Sequence, residues 1–398
     1  MSILCKRTKL KYISMFLTGV CVASISAMAH ADWSIRGLGD LGGGAMNDSG
    51  QIAGSFAIDD TDTYHAFITG PNGIGMTDIG TLGGSDSSFA SGINNSGQVA
   101  GESSTFDSIS SHAFITGPDG KGMTDVGDLG VNGEVFDIND SGHIVGDRDP
   151  IGNDSHAFIT GANGIGITDL GTFGGEASSA TGINNSGQVT GWAQRGNTNV
   201  DSHAFITGAN GVGMIDLGTL NGNFSAGNDI NNSGQVVGNV GEISDIFYHH
   251  AFITGPDGAD MTNLGTLGGY FSEALSINDA GEAVGWAETA NGDSHAFLYS
   301  HGGITDLSLL DAVIADGWKS IVVGHINNNG QIMGGGVNSL GVSEAFILSY
   351  TPDTLFTPNP IFIPPPPPPI PEPETYLMLL AGLGLIRFMA WRRKETVV

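Results

Sequence analysis

Cysteine is nearly absent: the chain has two, Cys5 and Cys21, both inside its first 21 residues. If that segment is removed on export, no thiol remains. Disulfides, thiolate catalysis and cysteine metal sites are then excluded together. A lipid-attachment site at Cys21 is not expected, because Val20 stands where such a site needs a small residue. Bases are almost as scarce. Residues 32–350 hold only Arg36, Lys121, Arg148, Arg195 and Lys319 against 37 acids, a net charge of −32. A surface of that sign repels phosphates, so nucleic acid is excluded as a partner. Proline is rare before residue 352, with four of the 15, and residues 32–350 show no helical periodicity. What abounds is glycine, 64 of 398 residues, well above the usual share of about 7%.

The first 31 residues have the order of a secretory signal peptide. Basic residues Lys6, Arg7, Lys9 and Lys11 precede an apolar run over 12–26, and Ala29-His30-Ala31 supplies a small-x-small cleavage site. A run of about 15 residues is short for a hydrocarbon core of ~30 Å at 1.5 Å per residue, so cleavage before Asp32 is expected rather than a retained anchor. The opposite end has three parts. Residues 351–373 form a proline-rich linker, with six consecutive prolines from Pro364 to Pro369, suited to an extended polyproline II rod. Residues 374–398 then carry an apolar segment, expected as a single transmembrane helix, and the cluster Arg392, Arg393 and Lys394. Bases there hold that end on the cytoplasmic side.

The tail resembles the PEP-CTERM sorting signal. Pro371, Glu372 and Pro373 lead into Glu374-Thr375-Tyr376, then LMLLAGLGL, then the basic cluster. Arg387 departs from the pattern by interrupting the apolar segment. It lies near the cytoplasmic end, where it can snorkel to the headgroups. The resemblance implies an exosortase as processing enzyme, a Gram-negative producer of exopolysaccharide, a transient inner-membrane anchor, and a final location at the cell envelope or outside the cell.

Between the ends, three markers keep phase. HAF begins at His65, His112, His156, His203, His250 and His295, with Glu344-Ala345-Phe346 as a seventh version. Asn-x-x-Gly recurs from Asn47, Asn94, Asn139, Asn184, Asn231, Asn278 and Asn327, and LGTLGG-like segments begin at Leu38, Ile79, Val126, Leu170, Leu217 and Leu264. This pattern resembles the HAF family of extracellular repeats, a label that names a repeat and no activity. HAFITG reads as a strand, GPNG-like segments as turns, GMTDLGTL as a second strand, the residues before Asn as a third and QVVG as a fourth. Four short strands every ~45 residues is the arithmetic of a β-propeller blade. The expectation is an all-β, seven-bladed propeller over residues 32–350. The offset ends predict a closing blade with three strands from the N-terminus and one from the C-terminus. A β-solenoid is the alternative.

No catalytic, cofactor or metal residue is nominated. The histidines recur about once per 45 residues, whereas a metal needs ligands converging on one point. A structural hydrogen bond in each unit is therefore expected of them. The same holds for Asp78, Asp125, Asp169, Asp216 and Asp306, with Asn263 in the remaining copy. Ca²⁺ is the one cofactor the acids leave open, the best local run being Asp59-Asp60-Thr61-Asp62. The leading functional expectation is a non-enzymatic binding or structural module for an extracellular polysaccharide or surface protein. A carbohydrate-active enzyme is the rival, and it would need acids and aromatics converging in one copy. Signal peptidase and exosortase complete the expected partners.

Two processing steps are predicted. N-terminal sequencing of the envelope form should begin at Asp32, and an intact Met1 would refute the cleavage. Replacing Pro371, Glu372 and Pro373 with alanine should leave the protein membrane-bound with its tail uncut. Wild-type processing of that variant would show that the motif is not the signal.

Overall fold

The computed structural model describes residues 33–39, 41–58, 63–83, 87–105, 110–149, 155–196, 201–220, 222–242 and 245–350. Their regular structure is mostly strand, with six single-turn 3₁₀ segments and one short α-helix, Asp311–Ala315. No helix among them is long and apolar enough to cross a membrane. The signal peptide, the linker, the sorting motif with its apolar helix and basic cluster, and the run Asp59-Asp60-Thr61-Asp62 all lie outside the described residues.

The strands fall into antiparallel groups of four. The first group is Gly42–Met46, Ile52–Ala57, Tyr64–Gly70 and Ile74–Gly80, hydrogen-bonded in that order. The first strand of each group is called inner and the fourth outer below. Two of the joints in each group are turns whose residues require them. Asn-x-x-Gly joins inner to second: Gly50 N donates to Asn47 O, and Gly50 takes φ 72°, a left-handed value costly for other residues. GPNG joins third to outer, with Asn72 itself left-handed at φ 55°, as asparagine tolerates. This turn docks on the previous one, Gly73 N donating to Gly50 O at 2.8 Å. The glycine of each QVVG-type strand has a different reason. A Cβ on Gly54, Gly101 or Gly146 would collide with a carbonyl of the adjacent inner strand.

HAF strands are apolar on both sides because both sides are covered. Ala66, Phe67 and Ile68 are all buried, and the seven phenylalanines of the motif are each essentially inaccessible. Each phenylalanine clusters with the preceding group. Phe114 packs with Ala66 and Ile68, Phe158 with Ala113 and Ile115, and Phe346 with Ala296 and Leu298. Phe67 closes the series against Met333 and Ile347 near the C-terminus. Truncating any one to alanine would cost roughly 3–5 kcal/mol.

The ends of the domain join differently from the expectation. The closing sheet runs Trp33–Gly39, Ser343–Tyr350, Gln331–Val337, Ser320–Ile326. It therefore takes one strand from the N-terminus and three from the C-terminus, the reverse of the sequence reading. The unit boundary falls inside LGDLGG. Its first half ends the outer strand Trp33–Gly39, and its second half opens a complete new group at Gly42. The pairing of 344–350 with the far end does hold, with Trp33 opposite Tyr350 and Gly37 opposite Phe346. Antiparallel groups of four, three of them linked into one twelve-stranded sheet by single parallel pairs, with the two ends of the domain meeting in one sheet, do not fit a solenoid.

The closing sheet also explains why the seventh HAF begins with Glu. In three other groups the Asp that meets the histidine also accepts from the glycine two residues on, as Asp78 Oδ1 does from Gly80 N at 2.7 Å. In the closing sheet Gly37 holds the Asp position, and Glu344 reaches across to accept from Gly39 N at 3.3 Å. A Cβ on Gly37 would lie 2.7 Å from Glu344 Oε2. Gly37→Asp alone should therefore destabilise the fold by about 1–3 kcal/mol. Adding Glu344→His, which recreates the pair of the other groups, should recover most of that loss. Denaturant unfolding of the four proteins in the cycle measures the coupling, and additive effects would refute the exchange.

Candidate functional site: the central channel

Seven asparagines line up at one level. Asn47 Nδ2 donates to Asn94 O at 3.0 Å, Asn94 to Asn139 O, and so on through Asn184, Asn231 and Asn278. Asn327 Nδ2 then donates to Asn47 O at 3.0 Å, which closes the circle. Each amide is otherwise satisfied inside its own turn. Asn47 Oδ1 accepts from Ser49 N and Gln51 N, and Nδ2 also reaches Gln51 Oε1. All seven are buried.

The next residue of each turn forms a second circle. The backbone N of each donates to the side-chain Oδ1 of the next, in the order Asp48, Asn95, Asp140, Asn185, Asn232, Asp279, Asn328 and back to Asp48, at 2.8–3.0 Å. Asparagine amides also donate to neighbouring carboxylates: Asn95 to Asp48 and Asp140, and Asn232 to Asp279. Acids face amides, so no acid in this circle has an acid beside it.

A third tier sits two residues before each ring asparagine. It reads Ala45, Gly92, Asp137, Gly182, Asp229, Ser276, His325. Asp137 accepts from Ile138 N at 2.7 Å and from Ile183 N of the next unit at 3.0 Å. Asp229 accepts from Ile230 N, Ile277 N and Ser276 Oγ. Both carboxylates therefore cap inner-strand amides across a unit boundary. Burial pushes Asp137 up to about 7, and the nearby charge of Asp229 adds to the rise. Asp229 is raised mainly by burial, against the pull of His325. Burial lowers His325. Asp137, Asp229 and His325 line, with the two rings, a cavity of about 140 Å³.

Away from the channel, the residues singled out in the sequence come together in pairs. His65 Nδ1 lies 3.0 Å from Asp78, His112 3.0 Å from Asp125, and His156 2.8 Å from Asp169. His203 pairs with Asp216, His250 with Asn263 and His295 with Asp306. The structural role expected of both series is thus one shared bond. His249 instead packs tilted against Phe271 and edge-on to Trp286, with ring centroids at 4.9 and 5.8 Å. Trp192, Trp286 and Trp318 stand in three different units. Trp318 is buried against Phe346, and Trp286 donates to Glu273. Among the described residues no group of three His, Cys, Asp or Glu is drawn together as a metal site. The sequence reading missed Asp137, Asp229 and His325. Their signal is an ionisable side chain at a position that other copies fill with Ala, Gly or Ser.

Residues 369–394 match the PEP-CTERM protein-sorting motif. No curated protein matches the chain in sequence. Among solved structures, it is similar to the β-propeller domain of the Trilobed protease from Pyrococcus furiosus, described as having an open velcro topology. Identity there is 10%, with 79% of this chain and 98% of that one covered at TM-score 0.54. Acylaminoacyl peptidase from Pyrococcus horikoshii is similar at 10% identity, 77% and 50% coverage and TM-score 0.52. TolB from Acinetobacter baumannii matches at 13% identity, 64% and 61% coverage and TM-score 0.44. The chain thus spans about 61% of the length of TolB and half that of the peptidase. The described domain has a β-propeller fold, and the chain is an exported protein bearing an exosortase sorting signal.

The buried acids set a pH dependence. Glu102 is raised to about 7 by burial, as Asp137 is, and Asp147 and Asp229 also rise. A raised carboxyl holds its proton more tightly in the folded state. Its cost to stability is absent below the unfolded value near 4 and accrues as pH climbs to about 7. His143, His250 and His325, lowered by burial, act oppositely below about 6.5, three groups against four. In chelator-treated buffer the melting temperature should fall between pH 5 and pH 8. Asp137→Asn should flatten that slope and melt higher than wild type at pH 8. Parallel curves for the two proteins would refute the assignment.

Proposed function

We propose that residues 32–350 are a seven-bladed propeller of HAF-type repeats, and that this domain is a non-enzymatic binding or structural module. On this reading it is sorted by exosortase to the envelope or matrix and associates there with exopolysaccharide. One observation carries the reading: the repeated ionisable residues are already committed to the scaffold. Six histidines are each bonded to the carboxylate or amide of an outer strand, and seven asparagines to one another. What differs from unit to unit is the connection between second and third strands, as in 58–63 and 195–201. The second and third strands of each sheet are antiparallel neighbours, so the strand ends that these connections join lie away from the Asn-x-x-Gly turns. A scaffold of fixed bonds with one variable face is the division of labour of a recognition protein. The rival, a carbohydrate-active enzyme, needs two carboxylates flanking a sugar bond.

The test uses the full-length protein and the producer's own exopolysaccharide. Binding should be measurable by sedimentation with the insoluble polymer, and it should be lost when the second-to-third connections are replaced by Asn-Gly turns. Polymer shortened during the incubation would favour the enzyme. Binding that survives replacement of every such connection would overturn the assignment of the face.

A further inference from the structure

Ser320 opens the inner strand of the closing sheet, and a cavity lies on each side of it. One, of about 410 Å³, borders the sixth group and is lined by Asp293, His295, Ser308, Trp318 and Lys319. The other, of about 550 Å³, borders the first group and is lined by Leu41, Val322, Met333, Ser343 and Glu344. Ser320 lines both. Each volume falls in the range of ligand clefts, about 300–1,000 Å³. Ser320 and Ser343 each begin a strand, so the cavities lie away from the Asn327 turn, at the end that carries the second-to-third connections.

Two departures from the repeat make this room. Residues 307–319 replace the LGTLGG-like segment with the helix Asp311–Ala315, anchored by the buried Val313 and followed by Trp318. Side chains are also missing on the far side. The residue after the glycine of the QVVG-type strand is Ser55, Glu102, Asp147, Trp192, Asn239 or Trp286 in the other groups, and Gly335 here. Three residues before the ring asparagine, Thr181 and Asn228 bond across a unit boundary to Gly227 O and Ala274 O at 2.8 Å. Gly324 stands in their place. A Cβ on Gly324 would meet nothing within 4 Å, and one on Gly335 only Glu344 O at 3.8 Å. Neither glycine has a positive φ. Backbone conformation and close packing therefore do not demand them, and the room they leave forfeits contacts at the boundary that closes the ring.

We propose that the two cavities are subsites for one uncharged saccharide chain, which crosses the closing sheet at Ser320 with sugar on either side. The inference rests on the polysaccharide-binding reading above, and adds where the polymer sits and of what kind it is. A sugar ring has apolar C–H faces and a rim of hydroxyls, and the walls match both. Val322 and Met333 give one cavity an apolar wall, and Trp318 the other. Hydrogen-bonding groups stand at the edges: the hydroxyls of Ser308, Ser320 and Ser343, and the carboxylates of Asp293 and Glu344. Glu344 is held by Gly39 N and Asn338 Nδ2, and a carboxylate has about four acceptor sites, so it can take sugar hydroxyls as well. His295 Nδ1 is held by Asp306 at 2.7 Å, which leaves Nε2 as the ring atom it can offer. Two acids and one base, Lys319, line the cavities of a domain whose net charge is −32. That balance repels a polymer of uronic acids and is indifferent to a neutral one.

The test uses the full-length protein with the producer's exopolysaccharide, intact and cut to short fragments by mild acid, and with alginate as the acidic comparison. Wild type should bind the fragments in calorimetry and leave alginate unbound. Gly335→Trp fills the larger cavity with the side chain that the fourth and sixth groups carry at Trp192 and Trp286. It should weaken fragment binding at least tenfold while melting at or above wild type. Asn239→Trp, the matching change in the fifth group, should leave binding unaltered. A readout on the unmutated protein guards against a variant that fails to fold. Fragments should shift the Met333 methyl and Trp318 indole resonances together and leave the Trp192 indole in place. Wild type that binds neither polymer nor fragments would remove the binding reading and the site with it. Fragment binding that survives Gly335→Trp, or that moves only one of Met333 and Trp318, would overturn the site and leave the binding reading standing. Alginate bound as tightly as the fragments would overturn the choice of an uncharged ligand.

Discussion

One bond, repeated, holds the domain in register: the asparagine amide that closes its own turn and reaches the carbonyl of the next. It couples a local event to a global one. The Oδ1 atom shapes the turn between inner and second strands, and Nδ2 fixes the distance to the neighbouring unit. No other side chain has a planar acceptor and a double donor on so short a stem. Aspartate would form the turn and lose the link. Glutamine would be too long for the turn. The seven phenylalanines are the largest fully buried side chains, but their packing is non-directional. The amide circle decides which strand faces which.

Charge is arranged around that circle by depth. At the periphery, each histidine meets its carboxylate or amide within one sheet, so the pairs carry little strain between units. Near the axis, acids face amides or cap backbone N–H groups across unit boundaries. The net charge of −32 is therefore not spread evenly. Five of the acids line the channel, where His325 is the one basic side chain. The closing sheet shows the same economy of position. Where the outer strand comes from the other end of the chain, the acid has moved from that strand to its partner, and a glycine makes room.

Much of this was legible because repetition amplifies small signals. Phase among HAF, Asn-x-x-Gly and LGTLGG-like segments was enough to expect four strands per unit, and the turn chemistry placed the joints. Three things resisted. His65 and Asp78 are 13 residues apart, and only the strand register shows that they face one another. The composition of the closing sheet depends on where a unit begins, and a circular repeat has no intrinsic beginning, so LGDLGG was read whole although it straddles a boundary. Asp137, Asp229 and His325 disappear when the copies are averaged. Their meaning lies in how they differ from Ala45, Gly92 and Gly182 at the same place.

The second circle has an odd number of members, and a strict alternation of two kinds cannot be drawn on an odd ring. Somewhere two of a kind must touch. Here that junction is Asn185 with Asn232, two neutral groups whose backbone-to-side-chain bond of 2.9 Å is intact. The frustration thus falls on two neutral groups and not on two carboxylates. Parity then singles out one junction in the molecule. A unit bearing Asp inserted there would complete the alternation, whereas an insertion anywhere else would leave or worsen the mismatch. If such rings grow and shrink by gaining and losing copies, the boundary between Asn185 and Asn232 is the place where the count can change without penalty.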